Sequence, residues 1–375
     1  MEMISVGEIA DALTGFPFDS NLFNESEGFP LIRIRNLKQG KTDTLYNGDF
    51  DKSFIVKKGD LLIGMDGEFN LVEWNAEDAL LNQRVMKIIG REKSVSKNYL
   101  KYALPNKLKA IEDATPFVTV KHLSHKKVLE IKIPLPDLKT QQKIASILEQ
   151  ADAARQKRKQ ANQLTEQFLQ SAFLEMFGDP VRNEKGWEKK QLNDVCIRIT
   201  DGTHQPPEWS INGVPFIFVS NIRNGEISIE TNKFITEESY LELTKRCQIE
   251  LGDVLFTIVG SYGNAAVVKT KEKFAFQRHV AHIKPNFKKI LPIFLSVILE
   301  SPFLKNQIEQ RVRGVAQKTL NLSELKFLEI ILPPLPLQQK FATLVEQVEQ
   351  LRTRQRESEK ELENLFGSLM QKYFG

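Results

Sequence analysis

Residues 134–150 read PLPDLKTQQKIASILEQ, and residues 334–350 read PLPLQQKFATLVEQVEQ. Gln141, Gln142 and Lys143 stand 197 residues before Gln338, Gln339 and Lys340. The same separation of 197 relates Phe177-Gly178 to Phe374-Gly375, where the two helical runs end. A whole segment of helical character therefore recurs without an insertion. The period is far too long for a solenoid, whose units span roughly 20–50 residues. It implies two copies of one domain-plus-helix unit and a chain with approximate two-fold symmetry.

Both runs start after prolines, Pro134-Leu135-Pro136 and Pro333-Pro334-Leu335-Pro336. Proline rigidifies the approach and cannot continue a preceding helix. From Thr140 to Phe177 there are about 38 residues, a helix of roughly 57 Å at ~1.5 Å per residue. A 3–4 alternation passes through Ile144, Ile147, Ala151, Ala154, Arg158, Ala161, Thr165, Phe168 and Ala172. It recurs 197 residues later through Phe341, Leu344, Val348, Leu351, Gln355, Ser358, Leu362, Leu365 and Leu369. The pattern reads as a coiled-coil seam with a polar middle at Arg158 and Gln355. The alternative is an amphipathic helix lying on its own domain's core, and the length argues against it.

Ahead of each helix lies a mixed, strand-rich region, so the expected class is α+β. Its β-type runs break at Gly-Asp turns, Gly59-Asp60 before Leu61-Leu62-Ile63 and Gly252-Asp253 before Val254-Leu255-Phe256. Pro30 and Asn36 match Pro215 and Asn221, Gln83-Arg84-Val85 matches Gln277-Arg278-His279, and Val6-Gly7-Glu8-Ile9 matches Leu192-Asn193-Asp194-Val195. These separations drift between 185 and 194, so the globular copies differ by insertions while the helices match. A common scaffold with divergent surfaces is the natural reading. The expected boundaries are a first domain over 1–136, a helix over 137–178, a linker over 179–186, a second domain over 187–336 and a helix over 337–375.

The chain has 375 residues, enough for two cores. Hydrophobic residues make up 41%, which places it among globular chains. Lys and Arg total 52 against 48 acids, a net charge of +4 that is compatible with nucleic acid without demanding it. Cys196 and Cys247 lack metal spacing and read as reduced thiols of a cytoplasmic protein. No apolar run approaches a membrane span, and the first residues lack the charged and apolar regions of a signal peptide.

No complete active site emerges. Gly40-Lys41-Thr42 has the tail of a P-loop, but Arg35 stands where its first glycine belongs. Gln205-Pro206-Pro207-Glu208 has the prolines of an amino-methyltransferase loop without its flanks. Asp137 with Lys139 and Glu130 with Lys132 are fragments of a metal-nuclease pattern, and Asp137 is better read as a helix cap. His279 and His282 have an H-x-x-H spacing in a β-type run with no Cys or carboxylate beside them, and read as core or surface histidines. No cofactor and no metal are expected.

Residues suited to nucleic acid are present. Arg33, Arg35 and Asn36 form one cluster, Thr203, His204 and Gln205 a second, and Arg313, Gln317 and Lys318 a third. Lys121 with His122 and Asn221 with Arg223 complete the set of candidate DNA-binding residues. Arg can bridge guanine bidentately, and Asn or Gln can do so for adenine. Mid-helix cations also repeat, Arg155, Lys157 and Lys159 matching Arg352, Arg354 and Arg356 at 197. They suit a phosphate backbone, an acidic partner or a solvated face.

Taken together, these residues resemble a known family. The duplicated P-L-P…QQK helix starts, the F-G helix ends and TDGTHQPP at 200–207 carry the resemblance. So do the Gly-Asp turns, and VKHLS at 120–124 with TLNLS at 319–323. The chain resembles, over essentially its whole length, the specificity subunit of type I restriction-modification enzymes. The resemblance implies two target recognition domains on two helices that form an antiparallel coiled coil. It also implies a non-catalytic subunit that reads a split, asymmetric site on double-stranded DNA. Two methyltransferase subunits would bind it, restriction subunits can join them, and no membrane is involved. The methyltransferase would bring S-adenosylmethionine and modify adenine. Two other classes stay open on the residues alone: a coiled-coil scaffold without DNA specificity, and a stand-alone DNA-modifying enzyme.

Overall fold

The computed structural model describes residues 2–115, 121–245, 248–312 and 318–375. Two continuous helices, Leu138–Phe177 and Leu335–Phe374, run for 40 residues each. The chain divides into two compact units, 1–160 with 356–375 and 161–355. Each unit thus holds one globular part and a piece of both long helices.

The first unit is built on a four-stranded antiparallel sheet in the order Ala10–Thr14, Val85–Gly90, Leu61–Gly64, Leu71–Glu73. The second repeats it as Cys196–Asp201, Val280–Pro285, Val254–Thr257, Ala265–Val267. A smaller sheet follows in each, with one parallel pairing. Phe29–Ile32 lies along Ala79–Leu81, and Val214–Ile217 along Ala275–Phe276. Strand alternation explains why Leu61–Gly64 is apolar throughout. Leu61 and Ile63 point into the core shared with the long helices, while Leu62 points into a second core around Trp74. Val254 and Phe256 against Leu255 do the same in the second unit.

The Gly-Asp turns are one device used twice. Gly59 and Gly252 have φ of +92° and +87°, backbone that glycine adopts freely. Asp60 Oδ2 accepts from the Lys57 N–H at 2.8 Å and pairs with Lys87 Nζ at 3.0 Å. Asp253 Oδ2 accepts from the Glu250 N–H at 2.8 Å and lies 2.6 Å from His282 Nε2, both side chains being buried. His282 therefore has a carboxylate partner that sequence proximity did not reveal, because Asp253 comes from the neighbouring strand.

Backbone pairing also shifts two sequence matches. Val85 and Val280 each open their strand and donate to Asn82 O and Gln277 O. The equivalent runs are therefore Asn82-Gln83-Arg84-Val85 and Gln277-Arg278-His279-Val280, one residue off the identity match. Similarly, Leu123 N–H donates to Met65 O and Leu320 N–H to Ile258 O. This aligns Lys121-His122-Leu123-Ser124 with Lys318-Thr319-Leu320-Asn321 and displaces the expected VKHLS–TLNLS match by two.

The long helices run antiparallel within each unit. In the first, Ile144 and Leu148 share a core with Met370 and Phe374, while Arg155 reaches Glu363. In the second, Phe177 meets Phe341 at 5.2 Å and Thr165 meets Gln355. The seam differs from the expected one in phase. Phe168, Leu351 and Leu365 are half exposed, whereas Leu148 and Val345 are buried. The alternate positions fall one residue later, at 148, 155, 162 and 169 and at 345, 352, 359 and 366. The expected positions Ile144, Ala151, Thr165, Ala172, Phe341, Val348 and Gln355 are buried as anticipated.

Each helix is fastened to its domain by a buried glutamine. Gln141 Oε1 accepts from the Ser96 N–H at 2.9 Å, and its Nε2 donates to Ser94 O and Pro136 O. Gln338 Oε1 accepts from the Leu291 N–H at 2.8 Å, and its Nε2 donates to Lys289 O and Pro333 O. Asp137 caps the first helix through Thr140, and those hydrogen bonds hold its carboxyl below its ordinary value. Gln338→Leu leaves one amide and two carbonyls without their partner. It is expected to destabilise the second unit by about 2–4 kcal/mol. Urea unfolding followed by circular dichroism measures this, and an unchanged midpoint would remove the clamp from the account.

Candidate nucleic-acid interface

In each unit three segments far apart in sequence meet at one end of the main sheet. The first is the loop that leaves the central strand, Met65-Asp66-Gly67 or Ile258-Val259-Gly260. The second is the turn before the next strand, containing Arg84 or His279. The third is the run Lys121-His122 or Lys318-Thr319. Backbone bonds weld them identically. Met65 N–H donates to Arg84 O, and Ile258 N–H to His279 O. Gly67 N–H donates to Lys121 O, and Gly260 N–H to Lys318 O. Isolated antiparallel bridges join Asp66 to His122 and Val259 to Thr319.

A fourth strand-end segment crosses the same turn. Phe16 bridges to Asn82, and Thr203 to Gln277. The preceding residue must be glycine. A Cβ on Gly15 would lie 2.2 Å from Asn82 O, and one on Gly202 would lie 2.3 Å from Phe276 O. The glycine of TDGTHQPP thus permits a close backbone approach that sets Thr203 beside Gln277 and Arg278, whose N–H donates to Thr203 O.

The frame is common, and its side chains are not. The first unit carries Asp66, Arg84 and His122. His122 Nδ1 lies 2.7 Å from Asp66 Oδ1, and Arg84 Nε lies 3.2 Å from Asp66 Oδ2. The second unit has Val259, His279 and Thr319 in those places. Burial, with the Arg278 charge adding to it, holds the His279 imidazole below its ordinary pKa. The second unit instead pairs His204 Nε2 with Asp201 Oδ2 at 2.8 Å. Thr203 Oγ1 donates to Gln205 O and accepts from the Gln205 N–H, closing the loop on itself.

Of the residues the sequence nominated, Lys121 with His122, and Thr203, His204 and Gln205 with Lys318, lie at these two surfaces. Arg33, Arg35 and Asn36 lie on the short helix Ile34–Gln39 and its cap. Asn36 is buried, and its Oδ1 accepts from the Arg33 N–H at 2.8 Å. Asn221 does the same for Phe218 at 3.0 Å. Both asparagines shape the backbone, which explains their match better than base contact does. Arg35 pairs with Asp43 at 3.1 Å, while Arg33 stands 5.9 Å over the Phe23 ring. Arg223 is exposed on the small hairpin formed by Ile222–Arg223 and Glu226–Ile227. Arg313 and Gln317 lie outside the described residues, as does Cys247. Asp66, Arg84, Asp201, Arg278 and His279 lie at these surfaces too and were not nominated, although Gln83-Arg84 had stood out as half of an internal match.

The mid-helix cations separate into two kinds. Arg155 sits in the seam, bidentate to Glu363 at 2.7 and 2.9 Å and 4.3 Å from the centre of the Phe366 ring. Lys157, Lys159, Arg354 and Arg356 are exposed. Arg352 takes the seam place in the second unit. Burial pushes the Glu300 carboxyl up, while the Ala265 N–H and the Arg352 charge draw it back. Among the described residues, no cluster of His, Cys, Asp and Glu could hold a metal ion. No described helix is long and apolar enough to cross a membrane.

The pattern of a type I restriction modification DNA specificity domain matches residues 1–166 and again 184–364. The chain belongs to this family. The type I restriction enzyme EcoBI specificity subunit of Escherichia coli is 34% identical over 372 residues, covering 92% of this chain and 78% of that one. The MjaIX specificity subunit of Methanocaldococcus jannaschii is 27% identical over 312 residues, 78% of this chain and 71% of that one. Among solved structures, the type I restriction-modification S subunit from M. genitalium superposes with a TM-score of 0.64 at 14% identity, covering 100% of this chain and 96% of that one. A chain solved in work on complex assembly and conformational transition of the type I R-M system gives 0.56 at 20% identity, covering 100% and 97%. The fold of this specificity-family chain, two strand-rich domains with two long helices, is the one those structures have.

The seam placement of Arg155 makes a direct prediction. Arg155→Gln removes the Glu363 pair and the contact with Phe366, and is expected to lower stability by about 1 kcal/mol. Lys157→Gln, on the exposed side, leaves the unfolding midpoint unchanged. Parallel denaturant titrations check both, and equal effects would contradict the division.

Proposed function

We propose that the chain reads a bipartite, asymmetric sequence on double-stranded DNA, one half per globular domain, and holds two methyltransferase subunits there. Restriction subunits can join the same assembly. The chain brings the address. The partner brings S-adenosylmethionine chemistry directed at adenine, and both work in the cytoplasm. One observation carries this reading. Two domains share a hydrogen-bonded frame at one end of the sheet and differ in the side chains it presents: Asp66, Arg84 and His122 against Val259, His279 and Thr319. A shared frame with unlike side chains suits two readers of unlike sequences, whereas identical domains would suit a palindrome. Base edges in the major groove present different donors and acceptors, so unlike side chains select unlike half-sites.

The candidate contacts are Lys121 and His122 in the first domain, with Arg33 and Arg35 on the adjoining helix. In the second they are Thr203, His204, Gln205, Arg223 and Lys318, with Arg313 and Gln317. The helices supply a fixed number of heptads, and we take that number to set the unread spacer. Matched seven-residue insertions after Ala161 and Ser358 should then lengthen the spacer by about three base pairs.

The decisive experiment exchanges residues 187–336 for the corresponding domain of a relative and maps the methylated sequence of the assembled complex. The expected result is a new sequence in one half-site and the original sequence in the other. A change in both halves would sink the modular reading, and an unchanged site would remove the second domain from recognition.

A further inference from the structure

We propose that Asp66, Arg84 and His122 form the base-reading cluster of the first domain, with Asp66 as a positioning residue and Arg84 reading a guanine. The inference rests on the reading of that domain as a half-site reader and names the residues that give it its specificity.

The backbone makes the cluster rigid. Met65 N–H donates to Arg84 O at 3.0 Å, Leu123 N–H to Met65 O at 2.7 Å, and Gly67 N–H to Lys121 O at 2.9 Å. Three segments separated in sequence are thereby locked around Asp66. Its side chain is 23% exposed, while those of Arg84 and His122 are 54% and 50% exposed. The acid lies beneath, and the two bases stand out from it. Each carboxylate oxygen takes one of them, Oδ1 the His122 Nδ1 and Oδ2 the Arg84 Nε.

The atoms used by Asp66 decide which atoms remain. Asp66 meets Arg84 at Nε, which leaves the end-on edge of the guanidinium, with its two Nη groups, for another partner. Those are the paired donors that guanine O6 and N7 accept. Holding His122 through Nδ1 leaves Nε2 for a second contact. A guanidinium fixed in advance loses less rotamer freedom on meeting DNA. As a purely structural feature the cluster has little purpose, because exposed ion pairs add little to stability. The second domain reinforces the point. At the same backbone places Val259, His279 and Thr319 provide neither carboxylate nor guanidinium, and an acid–histidine pair arises elsewhere, between Asp201 and His204. The acid-supported group has thus moved across the rim between the two domains while the frame stayed.

The test uses the complete chain assembled with its methyltransferase partner. Duplexes randomised at each position are methylated, and the base frequencies in the product are read. Arg84→Gln should relax the preference at one guanine of the first domain's half-site by roughly tenfold or more. The second half-site should keep its sequence. Asp66→Asn, which keeps the size and removes the charge, should weaken the same position, and the double variant should be no worse than Arg84→Gln alone. A phosphate contact would instead weaken binding to every sequence alike and lower the salt slope by about one. That result, a change in the other half-site, or an unaltered preference would each overturn the assignment. Arg84 is exposed, so Arg84→Gln folds even if Asp66→Asn does not. If the unaltered chain itself shows no preference at either half, the half-site reading fails. If it shows one that both variants retain, only this inference fails.

Discussion

The structure depends on an amide buried where each long helix starts. Gln141 and Gln338 are fully buried, and each satisfies one N–H and two carbonyls. Glutamine suits the place because one end accepts and the other donates twice. A carboxylate would face two carbonyls with no proton to offer, and an ammonium could not accept from the N–H. Of the three groups it ties up, Pro136 O or Pro333 O lies just before the long helix, and the other two lie just before the helices Lys97–Ala103 and Pro292–Glu300. Those helices in turn carry the aromatic contacts with the long helices. Tyr99 packs on Phe374 at 5.3 Å and donates to Pro134 O, while Phe294 packs on Phe177 at 5.0 Å. Fixing the amide therefore fixes the helix start, the adjoining helix and the aromatic cluster as one piece. Burial of Tyr99 in that piece pushes its phenol up to about 12.

A rigid piece of this kind lets the far end of the sheet vary. Strand pairing and the two cores on either side of Leu61–Gly64 and Val254–Thr257 hold the frame without help from the outward side chains. Substitution at the rim then costs little in stability, since exposed positions contribute fractions of a kcal/mol on average. Specificity can change where the fold does not depend on it. The reverse holds for Asn36 and Asn221. Their side chains complete backbone turns, so they match between the domains although the neighbouring residues do not.

Much of this was legible in the sequence, and the exceptions have physical causes. The repeat of 197, the helices, the Gly-Asp turns and the asparagine match are local or depend on a fixed separation. The seam phase was not decidable from hydrophobicity. At Ile147-Leu148, Phe168-Leu169, Leu344-Val345 and Leu365-Phe366 both neighbours are apolar, so either phase fits. Elsewhere the pattern misleads, because the seam holds Arg155, Asn162, Arg352 and Glu359 where Ala or Leu stands beside three of them. Asp66 and Arg84 escaped notice beside the nominated His122 for another reason. The three come from segments brought together only by strand pairing, and no local spacing signals the cluster. The pairing of His282 with Asp253 was hidden in the same way.

The polar seam has a consequence for register. Gln355 and Thr165 are both buried, and Gln355 Nε2 donates to Thr165 Oγ1 at 3.0 Å. Thr165 in turn donates to Ala161 O, so its hydroxyl serves as acceptor and donor at once. Two antiparallel helices with apolar seams could slide by one heptad and still bury their side chains. Here a slide of one heptad within the second unit would set Gln355 against Ala172, which has no polar side-chain atom. A buried amide without a partner costs roughly 1–3 kcal/mol. Buried polar layers fix coiled-coil register in this way, at some cost in stability. The amide clamps fix where each helix begins, and the Gln355–Thr165 contact fixes how the pieces in the second unit align. A unit specified at both points presents its rim in one defined position relative to its own helices, which reading bases through a few side chains requires.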